Sequence, residues 1–194
     1  MAPTVTVTGL FFAGGRDFVS RAIDRLALTL DGIAGDIHAG PTRRTGAREP
    51  WHPRGTVIRN DRQLSVLADE ELAETATALG LAALPAEWVG ANMTVSGCRG
   101  LSALSPMSRL MAPSGATIVV TAYNAPCRRS GRAIAARSGV PAHEFAFIKA
   151  AAGRRGLVGY VERPGLIMLA DILTIVAPRG PGQIPSGTLA GSRV

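Results

Sequence analysis

Cys127 has the strongest case for chemistry in this chain. It follows the apolar, β-branched run Ala116 to Ala122 and begins a helical stretch, Arg128 to Arg137. A helix N-terminus and adjacent arginines, here Arg128 and Arg129, both favour a thiolate over a thiol. A thiolate attacks sulfur, carries a persulfide or ligates a soft metal. The plain alternative is a small buried hydrophobe. Cys98, in Ser96-Gly97-Cys98-Arg99, lacks that framing and reads as packing.

Asp36 and His38 lie in the glycine-flanked stretch Gly35-Asp36-Ile37-His38-Ala39-Gly40. On a turn, the pair could orient one another or meet an anion; a loop-stabilising Asp36 is the plain alternative. Asn92, in Gly90-Ala91-Asn92-Met93-Thr94, offers an amide to a polar ligand beside a glycine that permits close backbone approach. Arg43, Arg44 and Arg48 could clamp a phosphate or simply solvate a loop. His52 and His143 have no evident partner. There is no HExxH, CxxC, P-loop or GxSxG pattern, and no GxGxxG after a strand.

These residues belong to a chain of 194 residues with a net charge of +7. That length suits one domain with its own core. A hydrophobic fraction of 46% against 18% charged residues excludes a wholly disordered protein. Two cysteines are too few for a disulfide scaffold or a four-cysteine zinc site. No apolar stretch approaches the roughly 18 to 20 residues of a membrane span, and the first residues lack a signal peptide's basic region. The expectation is a soluble cytoplasmic protein. The charge is concentrated: Arg43 to Arg62 carries +4, and Cys127 to Arg163 carries +6. Two basic segments on a mildly acidic frame suggest an anionic partner.

The elements that must position these groups are mostly short. Val5 to Thr8 and Ala27 to Leu30 read as strands, and Gly32 to Gly55 as a long loop. Thr56 to Arg59 and Gln63 to Ala68 read as extended. Asp69 reads as the N-cap of a helix with the apolar stripe Leu72, Ala76 and Leu79, stopped by Gly80. Its acidic cluster, Glu70, Glu71 and Glu74, has a capping and solvation reading. Strands are expected over Asn92 to Ser96, Ser108 to Met111 and Ala116 to Ala122. Helices are expected over Arg128 to Arg137 and His143 to Ala151. Leu157 to Glu162, Leu166 to Met168 and Ile172 to Val176 read as closing strands, with Pro164-Gly165 as a hairpin turn. The fold class is mixed and mainly β: a closed or partly open β-barrel with a few short helices. Residues 1–177 are expected to form the single domain and 178–194 a disordered tail.

Taken in order, these segments resemble the MOSC family, the domain related to the C-terminus of molybdenum cofactor sulfurase. Gly35 to Gly40 resembles the G-D-x-H-x-G signature. Arg62 to Leu67 leads into the Asp69 helix as the family's strand leads into its acidic helix. Gly90 to Thr94 resembles G-E-N-L-T, with Ala91 in place of glutamate; Ile37 stands where G-D-R-H has arginine. Leu104-Ser105-Pro106 with Ser108-Arg109-Leu110 resembles the stretch before the penultimate strands. Pro126-Cys127-Arg128 resembles the motif holding the characteristic cysteine, and Gly156 to Val176 resembles the closing strands. The match runs over roughly residues 5 to 177.

The resemblance implies a function around sulfur and the molybdenum cofactor, a pterin carrying a phosphate. Cys127 would be the persulfide carrier or the molybdenum ligand. Arg128, Arg43, Arg44 and Asn92 would meet the pterin or its phosphate, and His38 and Asp36 would shape the loop. The leading expectation is a MOSC-like domain that binds molybdenum cofactor, carries sulfur on Cys127, or both. The sequence holds no desulfurase domain of the pyridoxal phosphate type, so sulfur would come from a cysteine desulfurase or another donor protein. The alternative is the molybdenum-dependent component of a reductase acting on N-hydroxylated compounds, with an electron-transfer partner. A basic nucleic-acid-binding barrel is the lesser alternative, and 5% aromatic content offers little base-stacking platform. No membrane or nucleic-acid partner is expected on the leading reading.

Overall fold

The computed structural model describes residues 2–15 and 19–178. The expected tail lies outside them, except for Pro178. Strand β1 (Thr4–Phe12) alternates exposed threonines with buried Val5 and Val7, the period of a half-buried strand. The short β2 (Arg21–Ala22), β3 (Arg25–Thr29) and β4 (Gly32–Ile33) follow. Then come β5 (Thr42–Arg44), β6 (Val57–Arg59) and β7 (Leu64–Ala68). Helix α1 (Asp69–Ala78) leads to β8 (Met93–Ser96), β9 (Arg109–Met111) and β10 (Thr117–Tyr123). Helices α2 (Arg128–Ser138) and α3 (His143–Ala150) precede β11 (Leu157–Arg163), β12 (Gly165–Met168) and β13 (Ile172–Val176).

Seven strands close into a barrel in the order β13-β9-β10-β11-β7-β8-β1, and β1 returns to β13 through the pairs Thr4–Thr174, Val5–Leu173 and Thr6–Ile172. Closure removes the exposed edges an open sheet would leave. The pairings around the ring are antiparallel except β7 with β8, which is parallel and needs the crossover that α1 supplies. All five residues of β7 are buried. Leu64, Val66 and Ala68 face the barrel core, while Leu67 joins Leu72, Ile134 and Phe147 in a second core beneath the helices. A strand covered on both faces loses the polar alternation of β1.

Four local expectations change. Pro164-Gly165 does not make a hairpin: β12 pairs with β3, outside the barrel, because β10 and β7 already occupy both edges of β11. The stretch 32–55 is not one loop, since β5 pairs with β6 from Thr42–Arg59 to Arg44–Val57. Asp69 is the first helical residue rather than the N-cap; β7 runs straight into α1, so Ala68 takes the cap position with no side-chain bond. Glu71 is not a solvated helix-start acid. It is 3% exposed and accepts from the Ser102 backbone N–H at 2.9 Å and the Ser102 hydroxyl at 2.6 Å. Among the described residues, no helix is long and apolar enough to cross a membrane.

Candidate functional site

Cys127 is the N-cap residue of α2, with extended backbone at φ −135° and ψ 160°. Its carbonyl accepts the Gly131 N–H at 3.2 Å, and its Sγ lies 3.3 Å from the Ser130 hydroxyl. The thiol is half-buried. Burial pushes it up, but the Ser130 hydroxyl, the backbone N–H groups of Ser130 and Arg129 and the Arg48 charge outweigh that and hold it below the ordinary thiol range. Cys98 is the opposite case. Burial, then the Glu71 and Glu70 charges, push its thiol up.

Cys127 lines a cleft of about 840 Å³. Both basic segments converge there: Arg43, Arg44, Arg48 and Arg62 from the first, Arg129 and Arg155 from the second. Two tertiary bonds tie the walls together. Arg48 donates to the Ala125 carbonyl at 3.0 Å, and the Asn124 N–H donates to the Gly156 carbonyl at 2.9 Å. The +7 charge is therefore focused in part around a thiol.

The arginines are not equivalent. Arg43 donates to Asp61 at 2.8 Å and Glu49 at 2.9 Å, so its charge is met by two carboxylates. Arg44 donates to the Gly55 carbonyl at 3.0 Å. Arg128 does not line the cleft; its guanidinium pairs with Glu144 and stacks 4.7 Å from the Phe145 ring centre. Arg129, the next residue, does line it. One step along a helix turns a side chain by about 100°. Arg62 reaches Asn124 at 3.5 Å, and burial foremost pushes its guanidinium down to about 10.

Asp36 is buried behind the cleft wall and gathers four donors. These are the Ala13 N–H at 2.8 Å, the His38 N–H at 2.9 Å, His38 Nδ1 at 2.8 Å and Asn92 Nδ2 at 3.0 Å. The His38 ring lines the cleft, with Nδ1 held by Asp36 and Nε2 as its other nitrogen. Asn92 also lines it but spends its amide inward, its Oδ1 accepting the Ser65 N–H at 3.0 Å. His143 lies elsewhere, buried between Ser138 and the Leu79 carbonyl.

Sequence reasoning missed Arg62 and Arg155 as cleft residues. Arg155 stands in the turn between α3 and β11, is 5% exposed, and is tied at Nη2 to the Val89 carbonyl. Burial pushes it down to about 10, and the nearby Cys127 charge acts to raise it. Its only sequence signal is its place in Gly153-Arg154-Arg155-Gly156, and Arg154 points instead to Glu74 at 2.8 Å. Among the described residues, no cluster of three or more His, Cys, Asp or Glu side chains could hold a metal ion alone.

Comparison with known proteins gives four results. The description of the MOSC domain matches residues 34–174. A Bacillus subtilis protein, YuaD, described as a candidate metal-sulfur cluster biosynthesis protein, is 39% identical over 173 residues, covering 89% of this chain and 90% of its own. The crystal structure of B. subtilis YuaD superimposes with a TM-score of 0.89 at 38% identity, covering 92% of this chain and 99% of that one. The structure of YiiM from Geobacillus stearothermophilus shares the fold, with a TM-score of 0.62 at 15% identity over 92% of this chain and 77% of its own.

Proposed function

The chain belongs to the MOSC domain family, and from that premise we propose that Cys127 carries sulfur as a persulfide within the arginine-lined cleft. The observation that carries this reading is the thiol itself: half-buried, at a helix N-terminus, held below the ordinary thiol range, and facing a cationic cleft. The name of the YuaD relative, metal-sulfur cluster biosynthesis, fits a role in handling sulfur.

The chemistry balances simply. The Cys127 thiolate attacks the outer sulfur of a donor cysteine persulfide. A new S–S bond forms on Cys127, the donor's S–S bond breaks, and the donor cysteine leaves as a thiolate. The Ser130 hydroxyl and the first N–H groups of α2 stabilise the attacking anion and then the anionic persulfide. The partner is a cysteine desulfurase or another persulfide-bearing protein.

A second reading is supported by the size of the cleft, which at about 840 Å³ exceeds what one sulfur atom needs. The residues fit a phosphorylated pterin carrying molybdenum. Cys127 would supply a soft ligand, and Arg44, Arg48 and Arg129 would meet the phosphate. Since no cluster among the described residues could hold a metal alone, the metal would take ligands from the pterin. Bound there, the cofactor would supply two-electron redox chemistry, as required for reducing N-hydroxylated compounds.

Incubation with a desulfurase and cysteine tests the first reading. Mass spectrometry should find one added sulfur on Cys127, and sulfur transfer unchanged in Cys127→Ser would sink it. Protein purified from a host that makes the cofactor and is supplied with molybdate tests the second. Molybdenum and pterin should be present, and be lost in Cys127→Ser or on Arg129 substitution.

A further inference from the structure

Arg155 is a buried cation with most of its hydrogen-bonding capacity unused among the described residues. Nη2 is anchored on the Val89 carbonyl, but Nε and Nη1 are buried without a partner among the described residues. A buried guanidinium normally finds a carboxylate or a set of carbonyls. Among the described residues lining the cleft, Glu49 is the sole carboxylate, and both its oxygens are taken, by Arg43 at 2.9 Å and the Gly46 N–H at 2.8 Å.

Arg155 is held rigidly in relation to the thiol. The Tyr123 hydroxyl donates to the Ala151 carbonyl at 3.1 Å and accepts the Gly153 N–H at 2.8 Å, which staples the turn carrying Arg155 to the end of β10. The bond from Asn124 to Gly156 continues that link toward Cys127. Thiol and guanidinium thus sit on two bolted segments and line one cleft.

A ligand that satisfies both groups needs an oxyanion for Arg155 and an electrophilic sulfur for Cys127. A phosphate offers only the first, and a neutral disulfide only the second. We propose that the cleft accepts a small anionic thiosulfonate-type sulfur donor, thiosulfate being the simplest, with Arg155 binding the sulfonate oxygens and Cys127 attacking the sulfane sulfur. This rests on the persulfide reading of Cys127 and names a small-molecule donor for it. The thiolate pair forms the new S–S bond on Cys127. The S–S bond of thiosulfate breaks, and its electron pair departs on sulfite, so no other oxidant, reductant or proton donor is required. Arg155 stabilises the charge that develops on the departing sulfite.

The test uses the full-length protein with thiosulfate. The wild-type protein should release one sulfite per chain and gain one sulfur on Cys127 by mass spectrometry, and Cys127→Ser should do neither. Arg155→Gln should slow sulfite release about a hundredfold and slow sulfur uptake from a desulfurase persulfide, which has no sulfonate, far less; equal slowing with both donors overturns the sulfonate role. That second donor reports whether the variant is folded. A readout needing no variant is competition by sulfate, which has the oxyanion without the sulfane sulfur and should slow the wild-type reaction. Wild-type protein that takes sulfur from the desulfurase but releases no sulfite overturns the thiosulfonate inference and leaves the persulfide reading standing. Failure with both donors overturns both. Arg155→Gln at the wild-type rate, or no competition by sulfate, removes Arg155 from the site.

Discussion

The Asp36 carboxylate and the Asn92 amide meet at 3.0 Å across 56 residues of sequence. Asn92 is expected at a ligand and Asp36 as a shaper of the loop; in the structure each also holds the other. Asp36 anchors the loop that presents His38, while Asn92 bonds to Ser65 at the start of β7. They form a frame behind the cleft.

That frame is expected to be pH-dependent. Burial pushes Asp36 up, but the bonds from His38 and the Ala13 N–H outweigh it, so the folded carboxyl sits below its usual range. Its stabilisation is then present above the unfolded carboxylate range and lost as pH falls through the lower folded value. Asp36→Ala should cost about 2 to 3 kcal/mol at neutral pH. The difference from wild type should shrink in acid, as read by urea unfolding at several pH values.

The two cysteines should separate by reactivity. Iodoacetamide near neutral pH should modify Cys127 well before Cys98, because the two thiols are shifted in opposite directions. Ser130→Ala should move the alkylation profile of Cys127 to higher pH and leave that of Cys98 unchanged. Peptide mapping across a pH series reads both.

Adjacent arginines should behave differently. Arg129 lines the cleft, whereas Arg128 is paired with Glu144. Inorganic phosphate should protect Cys127 from alkylation. Arg129→Ala should weaken that protection about tenfold, near the value of one charge-assisted hydrogen bond, and Arg128→Ala should leave it intact. Equal effects would mean the cleft does not distinguish them.

Helix α2 owes its seat to a missing side chain. A Cβ on Gly131 would collide with the Glu144 backbone where α2 crosses α3. Gly131→Ala should destabilise the protein by about 1 to 3 kcal/mol, despite alanine's better helix propensity. Thermal unfolding measures this, and a rise in the midpoint would contradict the crossing.

Much of the barrel was legible because a half-covered strand must alternate. The threonine–valine alternation at the start of β1 follows that rule, whereas β10, buried at each of Thr117 to Val120, was legible from its β-branched composition. Where two layers cover one element, periodicity fades. Glu71 looked like a helix-start acid, and only the chain folding Ser102 over it makes it an interior acceptor. Pro164-Gly165 looked like a hairpin, because the occupancy of a strand's edges is a property of the whole sheet.

For the site, the sequence by itself determined that Cys127 would cap a helix, that basic charge would cluster in two segments, and which family the chain resembles. These are local matters of residue type and order. Only the tertiary structure decided which charges serve the thiol. Arg128 and Arg129 are neighbours with identical chemistry, yet helix phase and Glu144 send one away and leave the other in the cleft. Arg155 comes 28 residues after Cys127 and enters the site because Tyr123 and Asn124 fasten its turn. Side-chain direction depends on what packs opposite, and a linear sequence does not record that.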